Sequence, residues 1–201
     1  MDSRAASNSD FVGRIVRALR LDRTVFAEVE ADTSATGMAW TVVIIATIST
    51  ALAGFISELI AGPRYGSPVV GLGAGLLTAL FGFLVWSFVI YFVGTKMFGG
   101  TATVGEVIRA LGFAYSPNIF GIVGGLPVVG GLLAFIISIW ALIAGYFAVK
   151  ESLDLDTTKA ILTMIISAIA LFVVVFVLAI ITAAVALALG LGAAAVTGGG
   201  R

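Results

Sequence analysis

Residues 110–149 read ALGFAYSPNIFGIVGGLPVVGGLLAFIISIWALIAGYFAV, and no Lys, Arg, Asp or Glu interrupts them. A helical membrane crossing takes roughly 20 apolar residues, so this run is too long for one crossing and long enough for two short ones. Gly124-Gly125-Leu126-Pro127 and Gly130-Gly131 mark the turn between them. The pattern predicts a helical hairpin, with span three over Val104–Gly124 and span four over Val128–Val149. Ser116-Pro117-Asn118 falls inside span three. Proline removes a backbone donor and clashes with the preceding turn, so span three is expected to kink or break at Pro117.

Charge-free runs recur on both sides, at 33–57, 65–95 and 160–200. They predict span one over Gly37–Ile60, with Trp40 near its start as interfacial aromatics sit, and span two over Val69–Val93. Span five runs over Ala160–Leu189, longer than one crossing needs, so it tilts or projects. The loop 61–68 holds Gly62, Pro63, Gly66 and Pro68; Gly94–Gly100 and Lys150–Lys159 are the next polar breaks, with Asp156 read as the N-cap of the last helix. The expected fold class is an all-α membrane protein with five transmembrane helices. Residues 1–10 are expected to be disordered, 11–36 an amphipathic interfacial segment, 37–190 the transmembrane domain and 191–201 a flexible tail.

Composition agrees with that class: 60% of the residues are hydrophobic and 11% charged, against about 45–50% and 25% in soluble chains. Cysteine and histidine are both absent. That excludes a disulfide framework, a Cys/His zinc cluster, a haem histidine and a histidine general base. No cofactor or metal is expected, and zero formal net charge gives no reason to expect nucleic acid. No Walker-type phosphate loop occurs and no Asp lies deep in a span, so no enzymatic set is legible. Gly71-Leu72-Gly73-Ala74-Gly75-Leu76 begins like a dinucleotide fingerprint but lacks the last glycine. Gly71 with Gly75, and Gly121 with Gly125, read instead as small-residue helix-packing pairs.

Charge sidedness orients the chain. Five crossings put Arg4, Arg14, Arg17, Arg20, Arg23, Lys96, Arg109, Lys150 and Lys159 on one side, and only Arg64 and Arg201 on the other. Basic residues accumulate on the cytoplasmic side, so the N-terminus is expected to be cytoplasmic and the C-terminus outside. Phe11, Val12, Ile15, Val16 and Leu19 share one helical arc, while Arg14, Arg17 and Arg20 fill the other. Such a helix lies at the membrane surface with arginines toward anionic headgroups. Arg14, Arg17, Arg20 and Arg23 are therefore the candidate surface patch, for anionic lipid or for a membrane or cytoplasmic protein partner. Glu58 sits about a turn from the outer end of span one and is expected to reach water; Glu106 and Arg109 are spaced to pair on one helix face. No carboxylate is expected to be buried in the spans. Tyr115, Ser116, Pro117, Asn118 and Trp140 are the polar or special residues expected at depth. They could line a ligand or ion site at a broken helix; the plainer reading is that neighbouring helices satisfy the freed backbone groups.

The segment Gly99-Gly100-Thr101-Ala102-Thr103-Val104-Gly105-Glu106-Val107-Ile108-Arg109-Ala110-Leu111-Gly112-Phe113-Ala114-Tyr115-Ser116-Pro117 resembles the central motif of the Ypt/Rab-interacting-protein (YIP) domain family: a Gly-Gly turn, a short amphipathic helix, then an aromatic–small–Pro break. Ile139-Trp140 and Lys159-Ala160 match the next markers in order, and the resemblance extends over about residues 12–190. It implies five transmembrane helices and a cytoplasmic N-terminus. For eukaryotic members it implies binding to prenylated Rab-type GTPases in vesicle trafficking. The long cytoplasmic region with Asp-Leu-Tyr-Gly-Pro that those members carry is not in this sequence, which resembles prokaryotic members instead. The function expected is a non-enzymatic scaffold or adaptor embedded in the bilayer, as monomer or homo-oligomer. The alternative is a small transporter or channel using the broken third span.

Overall fold

The structure is a computed structural model that describes residues 3–63 and 66–188. Arg64, Arg201, Leu189 and the tail 191–201 lie outside the described residues. The described residues form helices and no strand. Helix α1 (Ser3–Leu19) and α2 (Arg23–Ala31) make an N-terminal hairpin. Then follow α3 (Ala35–Ala61), α4 (Pro68–Phe98), α5 (Val104–Ala114), a 3-10 helix (Ser116–Gly125), α6 (Gly130–Ser152) and α7 (Thr157–Ala188). Four of these, α3, α4, α6 and α7, are long and apolar enough to cross a membrane. The pair α5 and 3-10 helix is apolar enough to count as a fifth crossing if it is one span, and it bends by 47° at its joint.

Local chemistry sets most ends. Asp22 accepts the Thr24 backbone N–H at 3.0 Å and starts α2. Ser67 accepts from Val70 at 3.3 Å and Pro68 fills the first turn of α4, where its missing donor costs nothing. Thr103 and Glu106 close a capping box on α5: Thr103 N–H donates to Glu106 at 2.7 Å, and Glu106 N–H to the Thr103 hydroxyl at 3.3 Å. The Lys159 N–H donates to the Asp156 carboxylate at 3.0 Å at the head of α7. Helix α1 begins at Ser3, well ahead of the expected start at Phe11.

One loop boundary differs from the sequence reading. Gly94 was expected to end the second span, yet α4 continues through Lys96 to Phe98. Gly94 is instead a packing glycine: a Cβ there would stand 2.6 Å from Leu153 Cδ1. The residue that stops α4 is Gly99, left-handed at φ 73°, with Gly100 N–H returning to the Gly94 carbonyl at 2.9 Å. Gly100 in turn admits the Leu153 carbonyl, which would lie 2.8 Å from any Cβ. The Thr101 N–H donates to that same carbonyl at 3.2 Å, and the Thr101 hydroxyl to Asp154 at 2.7 Å. The Gly-Gly turn is thus one half of a latch between the α4–α5 and α6–α7 loops.

The broken pair runs alongside α3 in the same direction. Gly112 faces Ala39, Gly121 faces Thr50, and Gly125 faces Ala53. Cβ atoms at Gly112 and Gly125 would stand 2.8 Å from Ala39 Cβ and from the Ala53 carbonyl. Small residues here let two backbones approach without steric cost, as in membrane helix packing generally. Phe26, Phe83, Phe113, Ile90 and Leu153 are the largest side chains fully enclosed between the elements. Beyond Ser167, α7 leaves the bundle, and Ile169, Phe172, Val173, Phe176 and Ile180 are all exposed, the surface that hydrocarbon would cover.

Candidate scaffold face and the broken helix

At the break, the carbonyl freed by Pro117 has a partner. Pro117 has no N–H to give the Phe113 carbonyl. The Ser116 hydroxyl donates there instead, at 2.6 Å. Further on, Ser49 of α3 reaches into the 3-10 helix: its hydroxyl donates to the Ile119 carbonyl at 2.7 Å and accepts the Ile122 N–H at 2.9 Å. Ser49 is a residue that sequence reasoning missed. Its only sequence signal is a hydroxyl inside an apolar span. Ser49→Ala is expected to remove both bonds between α3 and the 3-10 helix, costing about 2 kcal/mol, read as a lower unfolding midpoint in detergent micelles.

The five residues expected at depth do not form one site. Ser116 and Pro117 are buried. Tyr115 packs edge-to-face on Phe83 with centroids 5.1 Å apart, and Phe83 likewise on Trp40 at 5.7 Å. The Asn118 N–H returns to the Tyr115 carbonyl at 2.9 Å. Trp140 belongs elsewhere: it stacks on Phe120 at 6.1 Å and donates Nε1–H to the Leu19 carbonyl at 2.9 Å, fastening the end of α1 to α6.

The N-terminal hairpin is held by ion pairs. Of the four arginines expected to form one patch, Arg14 and Arg17 are engaged within the hairpin, and Arg20 and Arg23 are exposed. Arg14 is only 8% exposed. It meets Asp32 at 2.8 Å, Glu28 at 2.9 Å and Asp10 at 3.4 Å. Arg17 meets Glu28 at 2.6 Å, Thr24 at 2.8 Å and Asp22 at 3.0 Å. The Thr24 hydroxyl and N–H, together with Arg17, hold Asp22 down at about 2. Arg17, with Arg14 behind it, keeps Glu28 below its ordinary value against the opposing effect of burial. Phe11 and Ile15 pack onto the core, while Val12 and Val16 face outward beside Arg20.

The hairpin is fixed to the bundle by Arg109. The pairing of Glu106 with Arg109 does not form: Glu106 caps α5, and buried Arg109 crosses to the end of α2. Its Nε donates to the Val29 and Glu30 carbonyls at 3.0 Å, and its Nη2 also to Glu30. A guanidinium at a helix C-terminus satisfies orphan carbonyls and meets the negative end of the dipole. Arg23, Thr24, Ala27, Lys150 and Glu151 line a groove of about 420 Å³ between α2 and α6 on the same end.

The Yip1 domain model matches residues 18–179, four-fifths of the chain and every element from α2 into α7. The chain belongs to the Yip1 domain family. No curated protein and no solved structure is significantly similar to it. It is a multi-pass, all-helical membrane protein. The Yip1 match begins at Ala18, so Arg14 and Arg17 precede it, while their partners Asp22, Glu28 and Asp32 lie within.

The docked hairpin carries a pH dependence. Glu30 is pushed up to about 7 by burial, reinforced by Asp154, Glu106 and Glu151 and opposed by Arg109. A carboxylate raised above its ordinary 4.5 supports the fold when protonated. That support is complete below the unfolded value and fades as pH rises through about 7. Hydrogen exchange in α2 of this Yip1-domain protein is expected to quicken between about pH 5 and about pH 8, beyond the intrinsic rate, and Glu30→Gln to flatten the rise.

Proposed function

We propose that this Yip1-domain protein is a non-enzymatic membrane scaffold with a trafficking-type role. The N-terminal hairpin is its partner-binding surface. The observation that carries this reading is the hairpin itself: pinned to α5 and α6 by Arg109 and Trp140, it still presents Val12, Val16, Arg20 and Arg23 outward. A rigid mount with an exposed amphipathic stripe suits recognition of a protein partner, with anionic headgroups beneath it. Closure of the broken helix by Ser116 and Ser49 supports a packing role for that segment rather than a conduit.

The same reading includes five crossings, a cytoplasmic N-terminus and the cell membrane as location. Two observations support the count. The α4–α5 and α6–α7 loops touch, so they share one end. Helix α6 is itself long enough to cross, which favours Val128 at the opposite end and the chain from Val104 to Gly125 travelling the same distance.

A photo-cross-linking residue at Val16, compared with one at lipid-facing Leu132, tests the proposal in native membranes. Val16 is expected to capture a reproducible protein partner that is lost with Arg20→Glu and Arg23→Glu. Capture of lipid alone from both positions would contradict it.

A further inference from the structure

Glu58 departs from its expected place at the water boundary. It is buried between α3 and α4, 8% exposed, with its carboxylate resting over the bare Cα of Gly71. A Cβ at Gly71 would meet Oε1 at 2.7 Å and crowd Oε2 more closely still, so only glycine leaves this seat open. Among the described residues, Oε2 has no hydrogen-bond partner. Glu58 lines a groove of about 350 Å³, together with Thr50, Gly54, Gly71, Gly75 and Thr78. Exposed Leu59, Ile60, Val69, Val70 and Leu77 belong to the same stretches of the two helices and make the groove's surroundings apolar. Glu58 lies one turn before the end of α3.

A carboxylate oxygen removed from water with no partner is costly, and the groove beside it has room for one. A hard metal ion would want about six oxygens or more, and the described lining offers one carboxylate and two hydroxyls. An ammonium needs only a few acceptors and carries its own charge. We propose that the α3–α4 groove binds the primary ammonium of an ethanolamine-type phospholipid on Glu58, with an acyl chain lying along Gly71, Ala74 and Gly75. The lipid source follows from the apolar flanks, which a soluble amine would not use.

The test is native mass spectrometry of the full chain released from nanodiscs of equimolar phosphatidylethanolamine and phosphatidylcholine. Choline carries the same charge without an N–H, so the comparison isolates the hydrogen bond. Retained lipid is expected to be enriched in phosphatidylethanolamine by about tenfold, the size of a charge-assisted hydrogen bond. Glu58→Gln keeps the shape and is expected to abolish the enrichment. Gly54→Leu is expected to do the same by filling the groove, since an added Cβ at Gly54 meets nothing within 4 Å. Unchanged circular dichroism and melting of both variants separate lost binding from lost fold. Equal retention of the two lipids, or enrichment that survives in both variants, would overturn the proposal. Binding of free ethanolamine as tight as that of the lipid would overturn the lipid source.

Discussion

Arg109→Ala is expected to free the N-terminal hairpin from the bundle and to cost about 3 kcal/mol, from charge-assisted bonds worth roughly 1.5–3 kcal/mol each. The guanidinium is buried and serves two carbonyls at the end of α2 from a helix some eighty residues further along the chain. Alanine leaves those carbonyls without donors and opens a void where the side chain lay. Lysine is expected to rescue little, because a single ammonium cannot reproduce the fork. Limited proteolysis in micelles reads the effect directly. Cleavage within residues 20–34 should accelerate in Arg109→Ala. Glu106→Gln, which only weakens the α5 capping box, should change cleavage little and cost about 1 kcal/mol. Equal protection in Arg109→Ala and wild type would mean that Arg109 does not hold the hairpin to the bundle.

Gly112→Val is expected to disrupt the α3–α5 contact by about 3 kcal/mol or to prevent assembly, since overpacking typically costs roughly 1–3 kcal/mol when side chains can yield. Here they cannot. The first added carbon would stand 2.8 Å from Ala39 Cβ, 3.1 Å from its carbonyl oxygen and 3.3 Å from its carbonyl carbon. Two of those three atoms are backbone, so relief requires moving a helix. Gly13→Ala and Gly131→Ala, where an added Cβ meets nothing within 4 Å, are expected to be neutral or to stabilise by up to about 1 kcal/mol through helix propensity. Ala39→Gly should recover part of the loss in Gly112→Ala, and little in Gly112→Val. Unfolding midpoints of the set, measured in one detergent, decide it; a Gly112→Val transition equal to wild type would rule out the close approach.

The class of fold was legible because hydrocarbon sets a hard rule on charge. Charge-free runs located the four long helices, Asp156 marked the head of α7, and Pro117 marked the end of α5 within a few residues. Each of those signals is local in the chain. Arg14, Arg109 and Ser49 were not legible for the opposite reason. Their partners lie far away in sequence: Arg14 with Glu28 and Asp32, Arg109 with Val29 and Glu30, Ser49 with Ile119 and Ile122. Helical periodicity put Arg14 on the basic arc, correctly for an isolated helix. It could not show that α2 would bring two carboxylates to that arc. The glycine at 94 misled for a similar reason: a helix-breaking residue and a packing residue look alike until Leu153 is placed against it.

Sidedness of three introduced thiols tests the five-crossing scaffold most directly. The chain has no cysteine, so single substitutions at Val16, Val128 and Thr158 each give a unique label, and all three positions are exposed. A membrane-impermeant maleimide added to intact cells is expected to modify Val128→Cys and to leave Val16→Cys and Thr158→Cys unmodified until the membrane is opened. Modification of Thr158→Cys from outside, with Val128→Cys shielded alongside Val16→Cys, would make the broken pair a re-entrant loop and contradict the account.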